Sequence, residues 1–171
     1  VTTSWTAIAS NTVGSGGASS VDFTSIPATY TDLLFMLSIR QNPASTQDTT
    51  WINSINGVTN AFTDIVIRSD GSGVSSFTPG ETPLYIGQSP CANATASTFA
   101  NHSIYIPNYL SSSNKSISID SVQETNATTA YMGFTAGIWS NTSAITSISF
   151  TPNSGNFVQY STFTLFGIKN S

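Results

Sequence analysis

Residues 115–122 read KSISIDSV, with Ile117, Ile119 and by continuation Ser121 on one side and Ser116, Ser118, Asp120 and Val122 on the other. A period of two is the mark of a pleated strand with one face in a core and one toward water. The same reading extends outward along the chain. Upstream, residues 33–40 (LLFMLSIR) form an apolar run of strand length, followed by 65–68 (IVIR), 83–88 (PLYIGQ) and 102–106 (HSIYI). Downstream, residues 144–150 (AITSISF) and 161–169 (STFTLFGIK) alternate again. Thr and aromatic residues suit a pleated, half-buried surface.

Turn signals separate these runs: Gly14–Gly17, Asn42-Pro43, Asn56-Gly57, Asp70–Gly73, Thr78–Gly80, Ser111–Asn114 and Pro152–Gly155. Gly supplies positive φ, and Asn or Asp tolerates it. Residues 123–130 (QETNATTA) read as a loop, since their Thr and Asn content opposes a helix. About nine to eleven short strands joined by tight turns predict an all-β fold. The expected form is an antiparallel, jelly-roll-like sandwich spanning residues 1–171 as one domain. Residues 5–9 (WTAIA) and 21–23 read as strands paired across the Gly14–Gly17 turn. The first and last strands are expected to share one sheet.

Composition bounds the function. Only 7% of the 171 residues are charged, against roughly 25% in an ordinary domain. Ser and Thr replace the charges, at roughly a third of the chain. Hydrophobic content of 39% and aromatic content of 11% are too high for a disordered chain. No run approaches the ~18 apolar residues of a membrane-spanning helix. Four Lys and Arg, at Arg40, Arg68, Lys115 and Lys169, make no basic patch, so nucleic acid is not an expected partner. The single cysteine, Cys91, has no partner for an internal disulfide. Residues 1–10 carry no basic or apolar stretch of a signal peptide; removal of a leader and loss of an initiator Met both remain open.

Chemistry-bearing motifs are sparse. His102 is the only histidine, no Gly-x-Ser-x-Gly elbow accompanies the many serines, and His102 reads as a surface or sheet-edge residue. One His and one Cys cannot make a zinc site, and no metal or cofactor is expected. A glycosidase needs two carboxylates about 5–9.5 Å apart, and Asp22, Asp32, Asp48, Asp64, Asp70, Glu81, Asp120 and Glu124 fall in no recognisable motif. Asp70–Gly73 reads as a hairpin turn, not as a calcium loop. Five Asn-x-Ser/Thr sequons, at Asn93, Asn101, Asn114, Asn126 and Asn141, match what chance gives for fourteen Asn in so Ser/Thr-rich a chain. Trp5 and Trp139, inside apolar strands, are expected in the core. Trp51 and Tyr109, beside polar loops, are the surface aromatics that would contact a glycan.

A neutral hydroxyl surface can be buried against a like surface at low desolvation cost, and charged residues are depleted in interface cores for that reason. Such faces suit a homo-oligomer, expected as a trimer about a three-fold axis. They favour a structural or adhesive role over an enzyme.

Both ends of the chain carry a resemblance. Residues 8–33 (IASNTVGSGGASSVDFTSIPATYTDL), then 137–150 (GIWSNTSAITSISF), 155–161 (GNFVQYS) and 163–168 (FTLFGI), resemble small β-rich virion proteins of tailed bacteriophages. The resemblance covers about 35 residues at each end. It implies a capsid decoration, head-fibre or tail-associated protein on the virion surface, assembled in the host cytoplasm against the major capsid protein or other virion proteins. The leading expectation is a capsid decoration or cement protein. The alternative is a tail-associated or receptor-binding module recognising host surface polysaccharide. The resemblance supplies no catalytic residues.

Overall fold

A computed structural model describes residues 4–80, 83–124 and 130–169. Glu81, Asn126 and most of the 123–130 loop lie outside the described residues. The strands are β1 (Ser4–Thr12), β2 (Val21–Phe23), β3 (Asp32–Ile39), β4 (Gln47–Ile55), β5 (Phe62–Ser69), β6 (Val74–Phe77), β7 (Leu84–Pro90), β8 (Ala100–Ile106), β9 (Lys115–Gln123), β10 (Tyr131–Trp139), β11 (Ile148–Pro152) and β12 (Thr162–Lys169). Twelve strands stand where nine to eleven were expected. β4, β6 and β10 are absent from the alternating runs, and of β10 only Trp139 was read as lying in a strand. β4 is flanked on both sides and half-buried throughout much of its length, so its sequence (QDTTWINSI) does not alternate cleanly.

The strands form two antiparallel layers. One sheet runs β1-β12-β3-β8-β9-β10-β5-β6 and the other β2-β11-β4-β7. The connectivity is that of a long hairpin rolled on itself. Its nested pairs are β5–β6, then β4–β7, then β3 with β10, then β2–β11, then β1–β12, and they fall alternately on the large and the small sheet. This is the jelly-roll arrangement, with one modification: the hairpin β8–β9 is inserted between β3 and β10. The first and last strands do share one sheet. The expected β1–β2 pairing does not occur. β1 pairs β12, with a bulge between Ala7 and Ala9, and β2 pairs β11 in the other layer. The Gly14–Gly17 turn carries the chain across layers instead of closing a hairpin.

The core is an aromatic cluster that bridges the layers. Phe35 of β3 meets Phe23 of β2 and Phe150 of β11 edge-on, each at 5.3 Å between centroids. Phe163 of β12 lies 5.7 Å from Phe150 and 5.0 Å from Phe157. Such pairs add about 0.5–1.5 kcal/mol each beyond area burial. Trp139 is fully buried, as expected, but Trp5 is 63% exposed. β1 is the edge of an eight-stranded sheet facing a four-stranded one, and its residues are exposed on both faces apart from half-buried Ile8.

Two of the four cations serve the interior. Arg40 is buried and spreads its guanidinium over backbone carbonyls of the 91–98 loop, Nη1 donating to Thr95 (2.8 Å) and Thr98 (3.1 Å), Nη2 to Cys91 (2.6 Å) and Ala94 (3.1 Å). Lys115, also buried, sets its Nζ 5.8 Å from the Trp139 ring centroid and donates to the Ser113 carbonyl. Burial pulls its ammonium below the usual lysine range. The surface therefore carries only Arg68 and Lys169 as cations.

Candidate functional site

Three places on the molecule collect residues that a partner or ligand could meet. The first is a groove of about 390 Å3 at one end of the sandwich. It is bounded by the β5–β6 hairpin (Arg68 to Ser75), the start of β10 (Tyr131 to Gly133), the ends of β9 and β7 (Ser121, Gln123, Gln88), Tyr85 and Gln47. Its polar lining is mostly amides and hydroxyls, with Arg68 and Asp70 as charged side chains. Gln123 donates through Nε2 to Gln47 Oε1, and its own buried Oε1 has no hydrogen-bond partner. The groove's one carboxylate among the described residues is Asp70, whose Oδ1 accepts from Ser72 N at 3.0 Å and from the Ser72 hydroxyl. These Ser72 bonds, with Arg68 nearby, hold Asp70 below the usual carboxylate range. Asp70–Gly73 is the hairpin turn that the sequence predicted.

The second place adjoins the first. Arg68 lies over the Phe77 ring at 4.9 Å, Phe77 meets Tyr85 edge-on at 5.6 Å, and Tyr85 meets Trp51 edge-on at 5.7 Å. Burial raises the Tyr85 phenol above its ordinary range, with Arg68 pulling the other way. Trp51 is half-buried, and its indole N–H donates to Asn153 Oδ1 at 3.3 Å. Asn153 in turn donates to Asp48 Oδ1 at 3.1 Å, and Ser154 donates to Asp48 Oδ2 at 2.7 Å. Trp51 is thus an aromatic edge set among amides, a hydroxyl and a carboxylate. Tyr109 is not its companion. It is fully buried in the turn after β8, with its hydroxyl donating to the Pro27 carbonyl and its own carbonyl accepting from Ile145 N at 3.0 Å. The loop that reads as polar folds over the end of the core and carries Tyr109 inward.

His102 also lies inside. Alternation along β8 sends Asn101 out and leaves Ser103 half-buried, while His102 faces the other sheet, fully buried. Its Nδ1 bonds the Ile86 carbonyl of β7 at 2.8 Å, tying the two layers, and Nε2 has no partner. Burial lowers its pKa to about 4, so the ring is neutral and Nδ1 carries the proton toward Ile86. Its cross-strand neighbour Ser121 donates instead to the Gly133 carbonyl at 3.2 Å. Gly87 (φ +127°) makes this close approach possible, since a Cβ there would lie 2.6 Å from Ser121 Cβ and 2.9 Å from His102 Cε1. Asp64, the carboxylate whose pKa burial raises, sits beneath β7 and accepts from Tyr85 N at 2.9 Å. Among the described residues no group of three or more His, Cys, Asp or Glu is placed to hold a metal ion. Among the described residues no helix is long and apolar enough to cross a membrane.

The third place is the outer face of the large sheet. Registration aligns its outward residues in rows: Val74, Ser69, Met132 and Val122 across β6-β5-β10-β9, then Ile67 beside Phe134, Ile65 beside Ala136, and Thr63 beside Ile138. Ile65 is 59% exposed, Met132 50% and Phe134 39%. Over these four strands the outward face carries one ionisable side chain, Asp120, the cross-strand neighbour of Phe134. A second apolar area, with Met36, Tyr105 and Phe166, lies farther along on β3, β8 and β12.

The candidate glycan residue Trp51 is therefore at the surface and Tyr109 is not. The residues that complete the groove, Gln47, Gln88 and Gln123, belong to no motif. Gln123, read as the first residue of the 123–130 loop, instead ends β9, where it continues the inward series Ile117, Ile119, Ser121 and places an amide on the core side.

The fold and these surfaces define a jelly-roll β-sandwich with an inserted hairpin. No family model, curated protein or solved structure matches the chain.

Proposed function

We propose that the chain is a non-enzymatic structural protein of a virion surface, a capsid decoration or cement protein of a tailed bacteriophage. One observation carries the protein-contact part of this reading: the large sheet turns an almost charge-free, partly apolar face outward. Monomeric proteins rarely expose apolar patches beyond a few hundred Å2, and larger ones mark surfaces that meet proteins, membranes or ligands. Neutral hydroxyls around such a face desolvate cheaply. The resemblance of the two chain ends supplies the particle. A decoration protein of this kind binds the assembled shell and not free subunits, and so stabilises the shell by mass action. Its partners are the major capsid protein or other virion proteins, and copies of itself. Quantitative mass spectrometry of purified particles tests the reading. Hundreds of copies per particle are expected, whereas absence, or one to a few copies, overturns it.

The half-buried Trp51, set among Asn153, Ser154 and Asp48 and joined through Tyr85 to the amide-lined groove, favours a second reading as a tail-associated or receptor-binding module for host polysaccharide. Trp51→Ala then abolishes glycan-array binding and host adsorption. Wild-type protein that binds no glycan removes this reading.

A further inference from the structure

We propose that the outer face of β6-β5-β10-β9 is a self-association surface, on which a second copy of this chain packs sheet against sheet about a two-fold axis. The proposal deepens the protein-contact reading above by naming the partner and the face. It rests on area, charge and register.

Ile65, Ile67, Val122, Met132, Phe134 and Ile138 lie on three neighbouring strands, each at least 39% exposed. Taking roughly 200 Å2 for a fully exposed large side chain, these fractions leave on the order of 600 Å2 of apolar surface. That is at the upper limit of the largest patch on an ordinary monomer. With its rim of Ser and Thr it approaches the ~800 Å2 per partner of a standard interface.

Charge favours a second copy over a charged partner. Along the four strands the face offers no cation and one carboxylate, Asp120. Consider a two-fold axis running along the strands between β5 and β10, with the sheets about 10 Å apart. It lays each β10 over the second copy's β5, and each β9 over the second copy's β6. Phe134 then covers the second copy's Ile67, and Ala136 covers the second copy's Ile65, a small side chain against a large one. Asp120 falls over the second copy's Ser76, on the far side of the axis from its own counterpart, so like charges do not meet. The strands of the two layers run aligned, one of the two usual modes of sheet-on-sheet packing. A contact of a patch with itself is isologous and closes at two copies, which distinguishes it from a three-fold assembly.

Sedimentation equilibrium of the full chain at micromolar concentration tests the pairing. Wild-type protein is expected at twice the 18.0 kDa chain mass. Phe134→Lys, and separately Ile67→Lys, should weaken association by about 100-fold or more, the range of a central interface residue. Both positions point to solvent, and circular dichroism confirms that each variant is folded. Thr164→Lys, on the same sheet but outside the patch, should leave the mass unchanged. A monomeric wild type, a three-fold mass, or a dimer insensitive to both patch variants overturns the proposal. A monomer that is still abundant on particles overturns the pairing and leaves the virion reading standing. A patch-dependent dimer absent from particles supports the pairing and removes the virion reading.

Discussion

His102 illustrates how far a residue's role depends on which way its strand faces. Its polar neighbours, Ala-Asn-His-Ser, suggest a surface position, and only the alternation of β8 sends it inward. The opposing layer then excludes water from it, and the Ile86 carbonyl fixes its proton. A pH dependence follows. The unfolded chain takes up a proton near pH 6.5 and the folded chain only near 4. Between those values the unfolded state binds more protons, so stability falls as pH drops through that window. The loss from His102 is about 2–3 kcal/mol on going from neutral pH to around 4.5. The raised pKa of Asp64 works in the opposite sense and offsets part of it. Urea unfolding should show a wild-type loss that His102→Gln largely removes; an equal loss in both proteins refutes the assignment. Arg40 and Lys115 teach the same lesson. In a chain with four cations, two are committed to loop carbonyls and to a buried ring, and composition alone did not reveal this.

At the scale of elements, the strands with clean alternation or long apolar runs were legible: β3, β5, β7, β8, β9 and β12 lie where the period predicts. β11 begins at Ile148, because residues 144–147 are held instead by Asn56, whose Oδ1 accepts from Thr146 N at 2.8 Å and Ser147 N at 3.0 Å. Pairing was less legible than strand existence. A turn such as Gly14–Gly17 looks the same whether it closes a hairpin or crosses between layers, and the partner of β1 lies 150 or more residues away. The two tryptophans separate for this reason. Trp5 stands on an edge strand with no layer opposite it, whereas Trp139 ends β10 beneath the small sheet and beside Lys115. Trp139→Ala should therefore cost about 3–5 kcal/mol, as for other buried aromatics, and Trp5→Ala should stay within about 0.5 kcal/mol. Comparable losses for the two in urea unfolding would place β1 in a covered position and contradict the edge assignment.

At the scale of the whole molecule, charge depletion takes on a direction. The core is mainly Phe, Ile and Leu, and with Arg40 and Lys115 also drawn inside, the outside is left poorer still in charge. It is displayed unevenly. The large sheet presents two apolar areas separated by hydroxyls, while the small sheet presents Trp51 within a polar network. Of the candidate site, Trp51 and Tyr109 were both read as surface aromatics from the polar loops beside them, and only Trp51 reaches the surface, since the loop after β8 folds Tyr109 inward. The outer face was not, because it exists only once β5 is set beside the β9–β10 pair, which comes after β6, β7 and β8 in the chain. The central claim is that this face is where the molecule meets protein. An image of the assembled particle, at a resolution that orients each copy, tests it most directly. The account predicts the outer face of the eight-stranded sheet against neighbouring chains and the Trp51 side toward solvent. Contacts made instead by the four-stranded sheet, with Ile67 and Phe134 facing open solvent, would contradict it.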